Sequence, residues 1–454
     1  MKKFIETLGN IWSIKELRNR ILFTLGLLLI YRFGSFVVLP GIDPTKLQSG
    51  GGQGLLGLLN AFTGGAFGNA AIFALGIMPY ISASIVVQLL GFAVPYFQRL
   101  QKREGEAGRR KLNQITRWLT VAITLVQGGG YLTYIISQSP EAVAMDNMGV
   151  FWFSNIIILA TGTIFAMWLG ERITDRGIGN GISLLIMIGI IATLPSSLIA
   201  EFEFRLTGAG GLVTFVLELA ILVVVVAATV MLVQGVRRIP IQFAKRMVGR
   251  GSSQLPTAGK RDFIPLKVNA AGVMPIIFAQ ALMFLPATIA QLINPEAVTG
   301  QGGGFLAALN DFTSGPYNLI YFFLVVIFTY VYTALIVDPR QYSEYLKGQN
   351  AFIPGIKPGK PTSDFIDSVT TRITLPGSIF LGFVSILPAF AAAFGANISF
   401  AMFFGGTSLL IMVGVVLDTL QQVEGHLLMR RYDGLTKAGK LKKKGGMMGI
   451  GADL

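Results

Sequence analysis

The chain is 454 residues long, 52% hydrophobic and only 13% charged, with no cysteine and a single histidine, His426. Soluble domains carry roughly 25% charged residues, and the mean hydropathy here is +0.63, so a water-soluble enzyme and a disulfide scaffold are excluded and zinc, haem and iron–sulfur sites are left almost without ligands. The net charge of +14 bears on membrane topology before it bears on nucleic acid.

A membrane core about 30 Å thick takes roughly 20 apolar residues per helix. Ten stretches meet that length: about 21–39, 71–94, 118–137, 152–170, 182–200, 212–233, 269–291, 318–337, 374–393 and 400–417. Lipid offers no partners to open strand edges, and barrel strands would alternate polar and apolar, so the spans read as helices. The opening run MKKFIETLGNIWSIKELRNR lacks a small-residue cleavage site and sets its charges ahead of a full span. It reads as a mature cytoplasmic end and not as a signal peptide. The formally charged residues within the spans are Arg32 and Glu218. Arg32 is read as snorkelling or bonding backbone carbonyls, and Glu218 as lying near the outer interface. An acidic or histidine relay near mid-membrane is missing, which disfavours ion-coupled transport.

Residues 50–69 carry eight glycines around a short apolar pattern in which Leu55, Leu59 and Phe62 share a helical face. This uncharged segment is either a re-entrant piece buried in protein or a flexible external loop. Pro79 and Pro275 lie among branched aliphatic residues, where kinked helices could aim side chains into a narrow apolar constriction. The run Gly177-Ile178-Gly179-Asn180-Gly181 is too short for a dinucleotide fingerprint and reads as a tight cytoplasmic turn. Residues Gly434–Lys440 imitate a Walker loop, but Leu441 stands where a Ser or Thr is needed and no strand precedes it. No ATPase or redox chemistry is encoded, so any energy comes from a partner.

Of the 37 basic residues, 34 fall in residues 1–20, 96–117, 171–181, 235–268, 338–373 and 418–454, while Lys46 and Arg205 lie in the opposite connections. By the positive-inside rule both termini and the basic loops are cytoplasmic. An even span count permits two halves of five, roughly 1–205 and 206–454, of opposite orientation. That is the arrangement of an inverted repeat with a path between its halves. The expected fold is an all-α membrane protein. A solute transporter of the inverted-repeat kind would share these spans, but not the missing ionisable centre or the aliphatic residues at the broken helices.

Five motifs then carry a resemblance. Ile72–Ile85 (IFALGIMPYISASI), Gly105–Lys111 (GEAGRRK), Arg176–Ser183 (RGIGNGIS), Leu266–Val273 (LKVNAAGV) and Phe404–Ile411 (FGGTSLLI) resemble, in order, the motifs of the SecY family of protein-conducting channels. The likeness runs from the first span to Asp418. It implies ten transmembrane helices in two pseudo-symmetric halves, 1–205 and 206–417, closed like a clam-shell around an hourglass pore, with 418–454 as a basic cytoplasmic tail. It implies a pore ring of Ile77, Ile81, Ile182, Ile186, Ile277 and Ile411. It implies a plug near 53–68 that includes Leu55, Leu56, Leu59 and Phe62. The lateral gate would hold Ser82, Ser84, Gln88, Gln127, Asn269 and Gln280. Partner docking would fall to Arg237, Arg238, Lys245, Arg246 and Arg250 in the 235–268 loop and to Lys357 in the 338–373 loop. The implied partners are the small subunits SecE and SecG, the SecA motor, the ribosome, signal peptides and nascent chains, and anionic lipids. No cofactor is implied, and the location implied is the bacterial cytoplasmic membrane. Lys357 departs from the arginine the family often carries; lysine keeps the charge and loses bidentate bonding.

Overall fold

A computed structural model of the chain describes residues 12, 14–47, 55–102, 104–144, 147–207, 211–243, 247–248, 255–256, 261–293 and 311–445. Helix α1 (Lys15–Gly34) is followed by the short α2 (Leu55–Phe62) inside the glycine-rich segment. Next come α3 (Met78–Ala93) and α4 (Pro95–Lys102), which meet at 102°. Proline forces that bend, because the residue before it is pushed out of the helical region: Val94 is extended, at φ −108 and ψ 124. Long apolar helices then run in sequence: α5 (Gly105–Gln138), α6 (Met148–Arg176), α7 (Gly181–Thr207) and α8 (Gly211–Gln234). Strands β1 (Val236–Phe243), β2 (Met247–Val248), β3 (Leu255–Pro256) and β4 (Arg261–Lys267) separate these from α9 (Met274–Ile293) and α10 (Gly315–Ile336). Helix α11 (Pro339–Gly348), strand β5 (Ala351–Phe352), and helices α12 (Lys360–Ala393), α13 (Ile398–Ala401) and α14 (Gly406–Gly445) complete the chain.

Each of the ten expected spans coincides with one of these helices over most of its length. Among the described residues seven helices are apolar and long enough to cross a bilayer, or eight with α3 and α4 counted as one bent span. Two departures have local causes. Helix α1 stops at Gly34 and opens on the charged Lys15, Glu16, Arg18 and Arg20. Helix α3 begins only at Met78, after a run of turns through residues 63–77. The kinks expected at Pro79 and Pro275 are absent, since both prolines sit in the first turn of their helices, where the missing N–H has no intrahelical acceptor to lose. Pro195 in α7, Pro286 in α9 and Pro376 and Pro388 in α12 are internal to their helices.

Consecutive helices pack as one group, α3 on α5, α5 on α6, α6 on α7, with α1 across α6 and α7. Helices α9, α10, α12 and α14 form a second group in which α10 lies between α9 and α12. The groups meet along two seams, α9 against α3 and α5, and α14 against α7. Helix α8 buries Glu218 and Thr229 and turns Leu212, Val213, Val216, Val223 and Met231 outward, the pattern of a lipid-facing helix.

The run Gly177–Gly181 is the tight turn between α6 and α7. The Thr24 hydroxyl accepts the Ile178 N–H at 3.1 Å, the Gln422 side chain accepts the Gly179 N–H at 2.8 Å, and Asn180 caps α7. One turn thereby ties α1 and α14 together. Residues 434–440 are helical within α14, with none of the strand-and-loop shape a phosphate cradle needs.

Beyond the helices the chain adds a small antiparallel sheet in the order β4-β1-β5. The register pairs Val236 with Lys267 and Ile239 with Ile264. Alternate residues Ile239, Ile241, Ile264 and Leu266 point inward and pack on Leu346, Ile353 and Ile366 of the other long loop.

Candidate functional site

The two groups of helices converge on isoleucine. Ile77 caps α3 and Ile81 lies one turn inside it; Ile182 and Ile186 are a turn apart on α7; Ile277 is on α9 and Ile411 on α14. Ile77, Ile81, Ile186 and Ile411 are buried, Ile182 and Ile277 partly so, and all six belong to one apolar cluster. Branched aliphatic side chains offer water no hydrogen bond, so a narrow passage lined by them dewets and excludes ions.

Phe62, at the end of α2, is buried in the same cluster. Among the described residues of the glycine-rich segment, the end of α2 is therefore packed inside the protein and not held out as an external loop. Past Phe62 the chain folds back through turns that bury Ala66, Phe67 and Ala70. Tyr131 donates its hydroxyl to the Phe67 carbonyl at 2.6 Å. Asn60 accepts the Gly68 N–H at 2.8 Å, and the Arg32 guanidinium donates to the Gly64 carbonyl at 3.0 Å. Arg32 thus bonds a carbonyl inside the bundle. The side chains of Leu55, Leu56 and Leu59 lie outside the described residues.

Polar residues mark the seam between the groups. Ser84 accepts from the Gln88 amide at 3.0 Å along α3, and the Tyr332 hydroxyl of α10 donates to Gln88 Oε1. Tyr332 is buried edge-on against Phe278 of α9, with ring centroids 4.7 Å apart. Ser82 and Gln127 are buried on α3 and α5. Asn269 is buried just ahead of α9, its Oδ1 without a partner among the described residues. Gln280 lines a cavity of about 30 Å³ with Tyr317, Tyr321, Ser385 and Thr407, inside the second group.

Arg237 and Arg238 stand exposed on β1, Arg238 over the Phe263 ring at 4.8 Å, and Lys357 is exposed. Lys245, Arg246 and Arg250 lie outside the described residues.

Sequence reasoning missed two clusters. Tyr332 read as one more aromatic residue in an apolar span, and no local pattern signals a partner 244 residues away. Arg205 was expected in an outer connection, but α7 runs on to Thr207 and buries it. Its guanidinium donates to Glu201 at 2.8 Å, to Glu218 and, at 2.9 Å, to the Gly395 carbonyl. Glu201 in turn accepts the Asn397 N–H at 2.8 Å. Glu218 keeps one carboxylate oxygen without a partner among the described residues. The Glu201–Arg205 spacing of four was the legible signal.

Membrane helices in two groups that meet on a shared core of isoleucine, with an internal helix packed against it, define a multi-pass membrane channel. The SecY family model matches residues 71–420. A protein translocase subunit SecY of Streptomyces scabiei is 42% identical over 93% of this chain and 97% of its own length. Another, from Chlamydia trachomatis, is 39% identical over 96% and 99%. Among solved structures, a protein-conducting channel superposes with a TM-score of 0.61 at 18% identity, covering 89% of this chain and 91% of the other. A channel from a canine ribosome–channel complex gives 0.60 at 18%, with the same coverage. The chain belongs to the SecY family. It is a subunit of the protein-translocating channel, not an enzyme.

Proposed function

We propose that Ile77, Ile81, Ile182, Ile186, Ile277 and Ile411 form the constriction through which unfolded polypeptide passes, with residues 53–68 as its plug. The observation that carries this reading is the delivery of six isoleucines by four helices from both groups to one cluster that also holds Phe62. In this reading 1–205 and 206–417 are the halves, and they part between α3 and α9 to release transmembrane segments sideways into lipid. Ser82, Ser84, Gln88, Gln127 and Asn269 line that exit and exchange their bonds for signal-peptide contacts at little cost, while Gln280 sits behind them in the cavity of the second group. The chain lies in the bacterial cytoplasmic membrane with both termini and the 418–454 tail inside, as the distribution of its basic residues supports.

The chain has no nucleotide site of its own in this reading, so force comes from SecA or the ribosome. These dock on Arg237, Arg238, Lys245, Arg246, Arg250 and Lys357, while SecE, SecG and anionic lipids complete the assembly. Support for the ribosome comes from the canine relative, which was solved in a ribosome–channel complex.

Asparagine at Ile81 or Ile411 gives water a partner at the constriction. In reconstituted vesicles, Ile81→Asn and Ile411→Asn are expected to raise resting ion leak and to admit precursors with weakened signal sequences. Unchanged conductance and unchanged signal selectivity in both variants remove the ring from the mechanism.

A further inference from the structure

Arg32 sits near the outer end of α1, half-buried, with its guanidinium 5.3 Å from the Phe36 ring centroid and hydrogen-bonded to the Gly64 carbonyl at 3.0 Å. Gly64 is two residues past the end of the plug helix α2. The chain there is folded tightly on itself, with the Gly64 N–H bonded to the Ala61 carbonyl at 3.2 Å and the Gly65 N–H to the Asn60 carbonyl at 2.9 Å. The local fold needs glycine, because Gly64 has φ +66. A Cβ there would meet the Arg32 guanidinium and stand 2.9 Å from Gly189 Cα. On the opposite side a Cβ at Gly189 of α7 would run into the Phe62 carbonyl. The foot of the plug helix is therefore gripped between α1, through a charged hydrogen bond, and α7, through backbone contact at a glycine.

We propose that Arg32 is the closed-state tether of the plug. A guanidinium–carbonyl bond is strong in a dry, low-dielectric setting, where neither partner has an alternative, and weak in water, where both do. Closure of the pore dries the site and tightens the bond. Entry of a polypeptide with its water loosens the bond and frees the foot of α2. Arg32 acts through Gly64 and touches no substrate, so it is a positioning residue. The inference rests on the reading of 53–68 as a plug, and its test separates the two.

The complete channel complex is reconstituted in vesicles, and resting ion leak is measured for four forms: wild type, Arg32→Leu, a deletion of residues 55–65, and the two changes combined. Loss of one charge-assisted hydrogen bond shifts a two-state balance roughly tenfold, and Arg32→Leu is expected to raise the leak on that scale. Export of a precursor with an intact signal sequence should be unaltered. Arg32→Lys, which keeps a charged donor, should restore most of the seal, an outcome that a purely steric role for the long side chain does not distinguish from Arg32→Met. The Arg32→Met channel should therefore leak like Arg32→Leu. In the deletion background Arg32→Leu should add nothing, since its acceptor is gone. If Arg32→Leu fails to accumulate, Gly189→Ala loosens the same foot from the other side and should produce the same leak. A deletion that does not leak overturns the plug reading itself. A leaking deletion combined with a tight Arg32→Leu channel, or an additive leak in the double variant, overturns the tether alone.

Discussion

Tyr332 carries a polar tip on a ring otherwise packed against Phe278, and its bond to Gln88 crosses from α10 to α3. Any parting of α3 from the second group breaks that bond. Hydrogen bonds between membrane helices are worth about 0.6 kcal/mol on average and about 1.7 kcal/mol at most. Tyr332→Phe should therefore ease opening roughly threefold or more, read as faster export of a precursor with a weakened signal sequence. Gln88→Leu should do the same, and the pair should be no worse than either alone, because one bond is lost in all three. Arg205 poses a costlier case. Removing it leaves Glu201 and Glu218 buried together with no cation, and breaking buried pairs of this kind costs about 3–5 kcal/mol. Arg205→Met should lower the thermal unfolding midpoint in detergent markedly. A triple change that also replaces Glu201 and Glu218 with leucine should recover much of the loss.

At the scale of elements, the apolar spans were legible because a run of about 20 apolar residues has few other fates. Their starts were less so. The stretch 71–77 is as apolar as a span, yet the helix waits for Pro79, whose fixed φ suits a first turn. Four of the six isoleucines lie within recognisable local motifs at helix starts or one turn in, so they could be named before their meeting was seen. The bond from Tyr332 and the fold of 63–77 around Arg32 could not, since both join distant segments through backbone or hydroxyl groups that leave no periodic trace. The sheet β4-β1-β5 was legible only in part: a branched aliphatic residue recurs at every second place in Ile239-Pro240-Ile241 and Ile264-Pro265-Leu266. Placing Ile264→Asp in its inward row should open the sheet. Limited proteolysis should then cut within 236–267 while the membrane helices stay protected, and binding of the motor to vesicles should weaken.

Across the whole molecule, charge is unevenly spread. On the proposed topology, the 34 basic residues in 1–20, 96–117, 171–181, 235–268, 338–373 and 418–454 give one side a strong positive field as well as an orientation. Reversing Arg237, Arg238 and Lys357 to glutamate should leave the topology intact and weaken association with an acidic or RNA-bearing partner, mainly through slower encounter. Motor-driven export from vesicles should fall, and the difference from wild type should shrink as salt rises. A defect confined to membrane insertion, with motor-driven export normal, would assign these charges to topology alone.

The stem formed by β1 and β4 has a consequence for how such a channel can diversify. Its base pairs Val236 with Lys267, and the Val268 N–H bonds the Gly235 carbonyl at 2.9 Å, so the chain leaves α8 and returns toward α9 at one point. Residues added between β2 and β3 would start from a base already closed, so the register of the helices does not depend on their number. Lengthening a connection there with flexible sequence would cost only about 0.6 kcal/mol per doubling. That connection is therefore a natural graft site, where partner preference can drift between lineages, or be swapped in the laboratory, without renegotiating the register of the helices that conduct.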